Sequence, residues 1–187
     1  MAVLVAFAAA GGRGATPVAA EAVGSTLRDL GLGYGRWPRR AIGDGSPERI
    51  RTAYREELAK LDEKWAIAHV DRVTVAPGHP GWPEMRRNFL QEHWHRAAEI
   101  RYFLGGSGLF YVRTADADYG LLCETGDWVA LPAGIRHFFD AGSHPEFDVL
   151  RLFGSGVGWA AEFSHAERPT WPLFDEFRQA FAGRPLP

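Results

Sequence analysis

Between Glu92 and Phe163 the sequence offers only short runs of β-branched and aromatic residues, each broken by glycine or by Asp-containing pairs. Ile100–Leu104, Gly108–Arg113, Tyr119–Cys123, Trp128–Leu131, His137–Phe139, Phe147–Phe153 and Gly158–Phe163 read as strands. Many short strands at this spacing can bury their apolar faces only against one another, which predicts a small antiparallel barrel or sandwich. The N-terminal third is mixed. Val3–Ala8 reads as a first strand, and Glu21–Leu30 as a short helix closed by Gly31. Ser46-Pro47-Glu48 is a helix start, with a capping hydroxyl, proline at the first helical position and an acid in the first turn. Ile50, Tyr54, Leu58, Leu61 and Trp65 then follow at helical spacing and predict one apolar stripe. "APGHPGWP" (Ala76–Pro83) excludes regular structure and leads into a short helix near Glu84–Phe89. Thr170-Trp171-Pro172 opens a terminal helix that runs to about Ala182 and is stopped by Gly183.

Composition narrows the function classes. The 187 residues suit one domain with a real core, and the hydrophobic (46%) and charged (24%) fractions are those of an ordinary globular chain. A net charge of -2 with the signs interspersed argues against nucleic acid or an anionic membrane as partner. The densest basic run, Arg36-Trp37-Pro38-Arg39-Arg40, reads as a solvated turn. Cys123 is the only cysteine, so no internal disulfide is possible and a reducing, cytoplasmic setting is expected. No apolar run approaches the ~20 residues that a bilayer span needs. The opening apolar run lacks a positive n-region and reads as strand rather than secretory signal.

Chemistry concentrates in "QEHWHRAAEIRYF" (Gln91–Phe103). On a strand, alternate residues share a face, so His93 and His95 project together and Trp94 faces away. Glu99 can return to the same face after a bend. His137 follows the tight turn of Pro132 and Gly134 and is a candidate third imidazole. Three neutral imidazoles and a carboxylate suit borderline divalent ions and leave an octahedral ion two open positions. Against this stands chance: a lone H-x-H pair also occurs on exposed strands.

The spacing His93-x-His95-x3-Glu99-x6-Gly106 resembles the first cupin motif, and Gly126-x5-Pro132-x-Gly134-x2-His137 resembles the second. Arg87 stands where the first motif usually opens with glycine, and Ala141 where the second often closes with asparagine. From about Gly33 to Phe163 the chain is similar to the acireductone dioxygenases, cupins of methionine salvage. The likeness is carried by "YGRWP" (Tyr34–Pro38), "WPEMRRNFLQEH" (Trp82–His93), "EIRYFLGGSGLFYV" (Glu99–Val112), "LLCETGDWVALPAGIRHFFDAG" (Leu121–Gly142), "LRLF" (Leu150–Phe153) and "GWAAEF" (Gly158–Phe163).

The resemblance implies a mainly β chain (α+β), a double-stranded β-helix or jelly-roll barrel with a few peripheral helices. It is expected as one domain over residues 1–187. An N-terminal elaboration covers 1–82, the metal-binding barrel 83–164 and a C-terminal helix 165–187. The implied ligands of one Fe(2+) or Ni(2+) per chain are His93, His95, Glu99 and His137, with Arg101 and Arg151 serving an anionic substrate. Parity independently turns Arg101 toward Glu99, where it meets either substrate charge or a structural ion pair. Spacing alone leaves Arg151 open between a buried and a surface position. Phe89, Phe139 and Trp159 are candidate pocket walls, although aromatics on barrel strands more often form core. Cys123 reads as a small buried residue, and His69, His79, His144 and His165 as loop or surface histidines.

The implied reaction is O2-dependent cleavage of 1,2-dihydroxy-3-keto-5-methylthiopentene. An iron form gives formate and 4-methylthio-2-oxobutanoate; a nickel form gives formate, carbon monoxide and 3-methylthiopropanoate. The enzyme is expected as a cytoplasmic monomer. Trp94 and Arg96-Ala97-Ala98 depart from the small polar and acidic residues usual around these ligands, and Phe138 from the usual tryptophan. Those departures keep open a related cupin dioxygenase for another enediol or dicarbonyl, or a non-catalytic metal-binding cupin.

Overall fold

The computed structural model describes residues 2–8, 14–154 and 160–183. In chain order the strands are β1 (Val3–Ala8), β2 (Ala15–Pro17), β3 (Gly33–Arg36), β4 (Ile67–Val75), β5 (His93–Trp94) and β6 (Glu99–Arg113). They continue with β7 (Ala117–Glu124), β8 (Asp127–Leu131), β9 (His137–Asp140), β10 (Phe147–Gly154) and β11 (Glu162–Phe163). The helices are α1 (Val23–Asp29), α2 (Pro47–Ala53), α3 (Arg55–Trp65), α4 (Trp82–Phe89) and α5 (Phe174–Phe181).

The pairings are antiparallel and form two sheets that share β6. Glu99–Gly106 of β6 pairs with β10 and, over its first residues, with β8; β10 in turn pairs with β4, and β8 with β3. Ser107–Arg113 pairs instead with β7, and Leu109–Val112 with β9, which continues the second sheet to β5 and β11. Two strands expected from sequence are therefore one 15-residue strand that crosses between sheets. Its glycines mark a corner, not a break. Gly106 has φ +71, and a Cβ there would stand 1.8 Å from the Glu146 carbonyl oxygen.

The corner reverses the inward parity. Glu99, Arg101 and Phe103 point between the sheets before it, and Phe110 and Val112 after it. The outward residues are covered by helices. Ile50, Tyr54, Leu58 and Leu61 of the α2–α3 region pack on Ile100, Tyr102, Leu104, Leu150 and Leu152. Phe174 and Phe177 of α5 pack on Leu109, Tyr111 and Phe138.

The stripe from Ile50 to Trp65 is not one helix. It breaks at Tyr54 (φ -113, ψ 29), although the Tyr54 N–H still donates to Ile50 and its carbonyl accepts from Leu58. Tertiary contacts explain the break: the Tyr54 ring lies on Trp37 and Tyr102, and its hydroxyl accepts from the Arg40 N–H at 2.9 Å. The basic run there is accordingly not all solvated turn, since Arg36 ion-pairs with buried Asp127 and Trp37 packs on Trp128. The expected first strand holds at Val3–Ala8, while α4 starts earlier and α5 later than expected. β4 was not expected from sequence. Among the described residues no helix is long and apolar enough to cross a membrane.

Gly106→Ala is expected to cost about 3 kcal/mol or more, since a left-handed backbone and a collision with fixed main chain add. Gly134→Ala, also at positive φ (+80) but with nothing within 4 Å of the new methyl, should cost about 1–2 kcal/mol. Denaturant midpoints of the two variants check the contrast.

Candidate metal centre

Three short segments bring the four candidate ligands together. β5 supplies His93, and His95 lies just beyond it. β9 begins at His137, whose Cα pairs with that of His93, and β6 begins at Glu99. All four side chains are buried, and their donor atoms lie within 4.8 Å of one another. Donors about 2.0–2.2 Å from a borderline divalent ion stand at most roughly 4.4 Å apart across it. Shifts of a few tenths of an ångström would suffice.

The hydrogen bonds behind the rings select the metal-binding tautomer. His93 Nδ1 lies 2.8 Å from the Gln91 carbonyl, His137 Nδ1 3.0 Å from that of Ile135, and His95 Nδ1 3.2 Å from that of Ala160. A carbonyl can only accept, so each Nδ1 carries the hydrogen and each Nε2 lone pair is left for the centre. His95 Nε2 is 2.7 Å and His137 Nε2 3.1 Å from Glu99 Oε2. Lone pairs and an anionic oxygen this close call for positive charge between them. The donor set fits a divalent ion.

Glu99 is built to stay ionised. Burial would push its carboxyl up, but the positive charge of Arg101 beside it is the largest opposing influence, and the carboxyl is held well below the usual carboxylate range. Arg101 Nη2 donates to Glu99 Oε1 at 2.7 Å, and its guanidinium lies 5.0 Å over the Phe153 ring. The parity expectation for Arg101 holds, and the structure supplies the ion pair that was its competing reading. Arg151 is half-buried and faces the same space, held by both oxygens of Asp71. Behind the histidines, buried Glu92 pairs with Arg113 at 2.7 Å, and Arg113 also reaches Asp118.

The centre opens into a cavity of about 440 Å³. Its lining combines the ligands, Arg101 and Arg151 with apolar side chains that include Phe89, Phe139, Phe110, Phe147, Val73 and Met85. Phe89 and Phe139 line the cavity and also pack against the core, edge to face at 5.8 Å. Trp159 lies outside the described residues. Trp94, Arg96, Ala97 and Ala98 are not among the lining residues. Trp94 is on the far side of its strand under Arg136, and Arg96 pairs with Glu162. Phe138 is core, stacked on Tyr111 at 4.8 Å. Cys123 is buried as expected. Asp71 was not singled out from sequence; its signal is the alternation within Ile67–Val75, obscured by His69, Asp71 and Arg72.

A match to the ARD/ARD′ family spans residues 45–161. An acireductone dioxygenase of Synechococcus sp. is 40% identical over 155 residues, covering 82% of this chain and 85% of the relative. That of Hahella chejuensis is 39% identical over 142 residues, covering 75% and 77%. The solved structure of acireductone dioxygenase from Bacillus anthracis with cadmium ion in its active center superposes with a TM-score of 0.71 at 21% identity, over 87% of this chain and 99% of that one. The shared fold is the cupin barrel expected from the two motifs.

In metal-stripped protein His93 should imprint a pH dependence. Burial, then His137, pushes its imidazole from the ordinary 6.5 down to about 4. Between those values the unfolded chain holds the extra proton, so stability falls as pH drops through this window and is unaffected by His93 above it. The expected loss is at most about 3 kcal/mol, and it should be missing in His93→Gln when denaturant midpoints are compared across pH.

Proposed function

The chain belongs to the ARD/ARD′ family and is a dioxygenase, and we propose that it cleaves an acireductone with O2 at one Fe(II) or Ni(II) ion per chain. His93, His95, Glu99 and His137 would hold the ion. The observation that carries the reading is the set of three Nε2 lone pairs and one anionic carboxylate facing a cavity lined by two arginines and by apolar side chains.

Charge supports a dianionic substrate. Glu99 and Asp71 cancel Arg101 and Arg151, so a divalent ion leaves the pocket with a surplus of about two positive charges. An enediolate dianion brings the complement. When bound, the ion supplies two open positions to chelate substrate oxygens and the Lewis acidity and O2 chemistry that follow. The side chains do the rest. Arg101 and Arg151 offer guanidinium N–H donors to charge that spreads over the substrate oxygens during cleavage. Burial raises the strength of those contacts by excluding water. Glu99 remains an anionic acceptor because Arg101 keeps it ionised. Phe89, Phe139, Phe147 and Met85 suit the methylthio tail, a short apolar chain ending in a polarizable sulfur. We take the chain to work as a single-domain monomer in the cytoplasm.

The ion should decide the products. Nitrogen and oxygen donors of this kind accept both Fe(II) and Ni(II), so selection by affinity is weak. Stripped protein reloaded with iron is expected to give formate and 4-methylthio-2-oxobutanoate; reloaded with nickel, formate, carbon monoxide and 3-methylthiopropanoate. Product analysis with synthetic acireductone tests this, and identical products from both loadings would refute control by the ion. No consumption with either would point to another enediol or dicarbonyl. Arg101→Met should keep its metal and lose turnover by about 10²–10³-fold, as for one preorganised donor. Unchanged turnover with a lower melting temperature would reduce Arg101 to a structural partner of Glu99.

A further inference from the structure

We propose that Asp71 is a positioning residue that aims the guanidinium of Arg151 at an anionic ligand in the metal pocket. β10 lies between β6 and β4, and its register places Arg151 opposite Arg101 on one side and Asp71 on the other. Two arginines facing each other across neighbouring strands repel. Each is therefore tied to its own carboxylate: Arg101 to Glu99 and Arg151 to Asp71.

The second tie is directional. Arg151 Nε donates to Asp71 Oδ1 at 2.8 Å and Nη2 to Oδ2 at 2.6 Å. A fork held at two atoms fixes both the plane and the heading of the guanidinium, which a single contact cannot do. Nη1 takes no part in the fork. Arg151 lines the cavity and Asp71 does not, so the carboxylate stands behind the arginine rather than before the ligand. His69 Nε2, 3.1 Å from Asp71 Oδ2, holds the carboxylate from its outer side. A merely structural pair at this partial exposure would contribute little to stability and nothing to ligand binding.

The inference rests on the reading above in one respect, that the ligand is an anionic chelator. Its test uses oxalate, a small chelating dianion, titrated calorimetrically into Ni(II)-loaded protein. Asp71→Asn and Arg151→Met are each expected to keep their nickel and to weaken oxalate about tenfold or more, in the range typical of partners that orient a site residue. The double variant should be no weaker than Arg151→Met alone, and Asp71→Glu should recover part of the loss. Oxalate affinity within about twofold of the parent in Asp71→Asn would overturn the proposal, and so would full additivity in the double variant. Absence of oxalate binding by the parent holoprotein would overturn it too. If Asp71→Asn does not fold, Arg151→Lys, which keeps the charge but loses the fork, should show the same loss; unchanged affinity there counts against the proposal. Coupling between Asp71 and Arg151 in the oxalate titration, together with no consumption of acireductone, would uphold Asp71 while refuting the substrate.

Discussion

A strand that serves two sheets must change sheet partners without losing its backbone hydrogen bonds, and β6 does so at Gly106. The inward-facing groups of β6 depend on that corner. Before it, odd-numbered residues enter the interior and bring Glu99 and Arg101; after it, even-numbered residues enter and bring Phe110. A straight strand would keep one parity and could not fill the same space with charge at one end and hydrocarbon at the other. The left-handed backbone that permits the change is open to glycine at little cost, and the Glu146 carbonyl leaves no room for a side chain.

Burying a carboxylate and two arginines in a barrel is expensive unless each meets opposite charge. The molecule settles this in pairs, Glu99 with Arg101 and Asp71 with Arg151, and sets the imidazoles by main-chain carbonyls, local for His93 and His137 and that of Ala160 for His95. The resulting centre is poised for a cation before one arrives. Its ligands are neutral at nitrogen and anionic at oxygen, with orientations fixed from behind, so little ordering remains for binding to accomplish.

How much of this could be read beforehand depended on the range of the forces involved. The ligand cluster was legible only in part from local rules. Strand alternation puts His93 and His95 on one face and the Pro132–Gly134 turn offers His137, while the complete set with Glu99 rested on spacings that resemble the two cupin motifs. Arg101 was legible by the same alternation. Arg151 was only half so, because its partner sits on β4, an edge strand whose apolar alternation is interrupted by His69, Asp71 and Arg72. The break at Tyr54 had no local signal; it follows from an aromatic cluster with Trp37 and Tyr102 that sequence does not reveal. Gly105 and Gly106 were read as an end to a strand because a glycine pair looks alike at a break and at a corner.

Gly108 also shapes the cavity, though by size rather than backbone angle. A methyl there would stand 2.3 Å from the Phe139 ring, whose edge occupies the space that the missing side chain leaves. The width of the apolar lining is thus written at a residue that bears no chemistry of its own. Any larger residue at 108 must displace the ring, so chains of this kind can be retuned during evolution for tails of different bulk while ligands and arginines stay untouched.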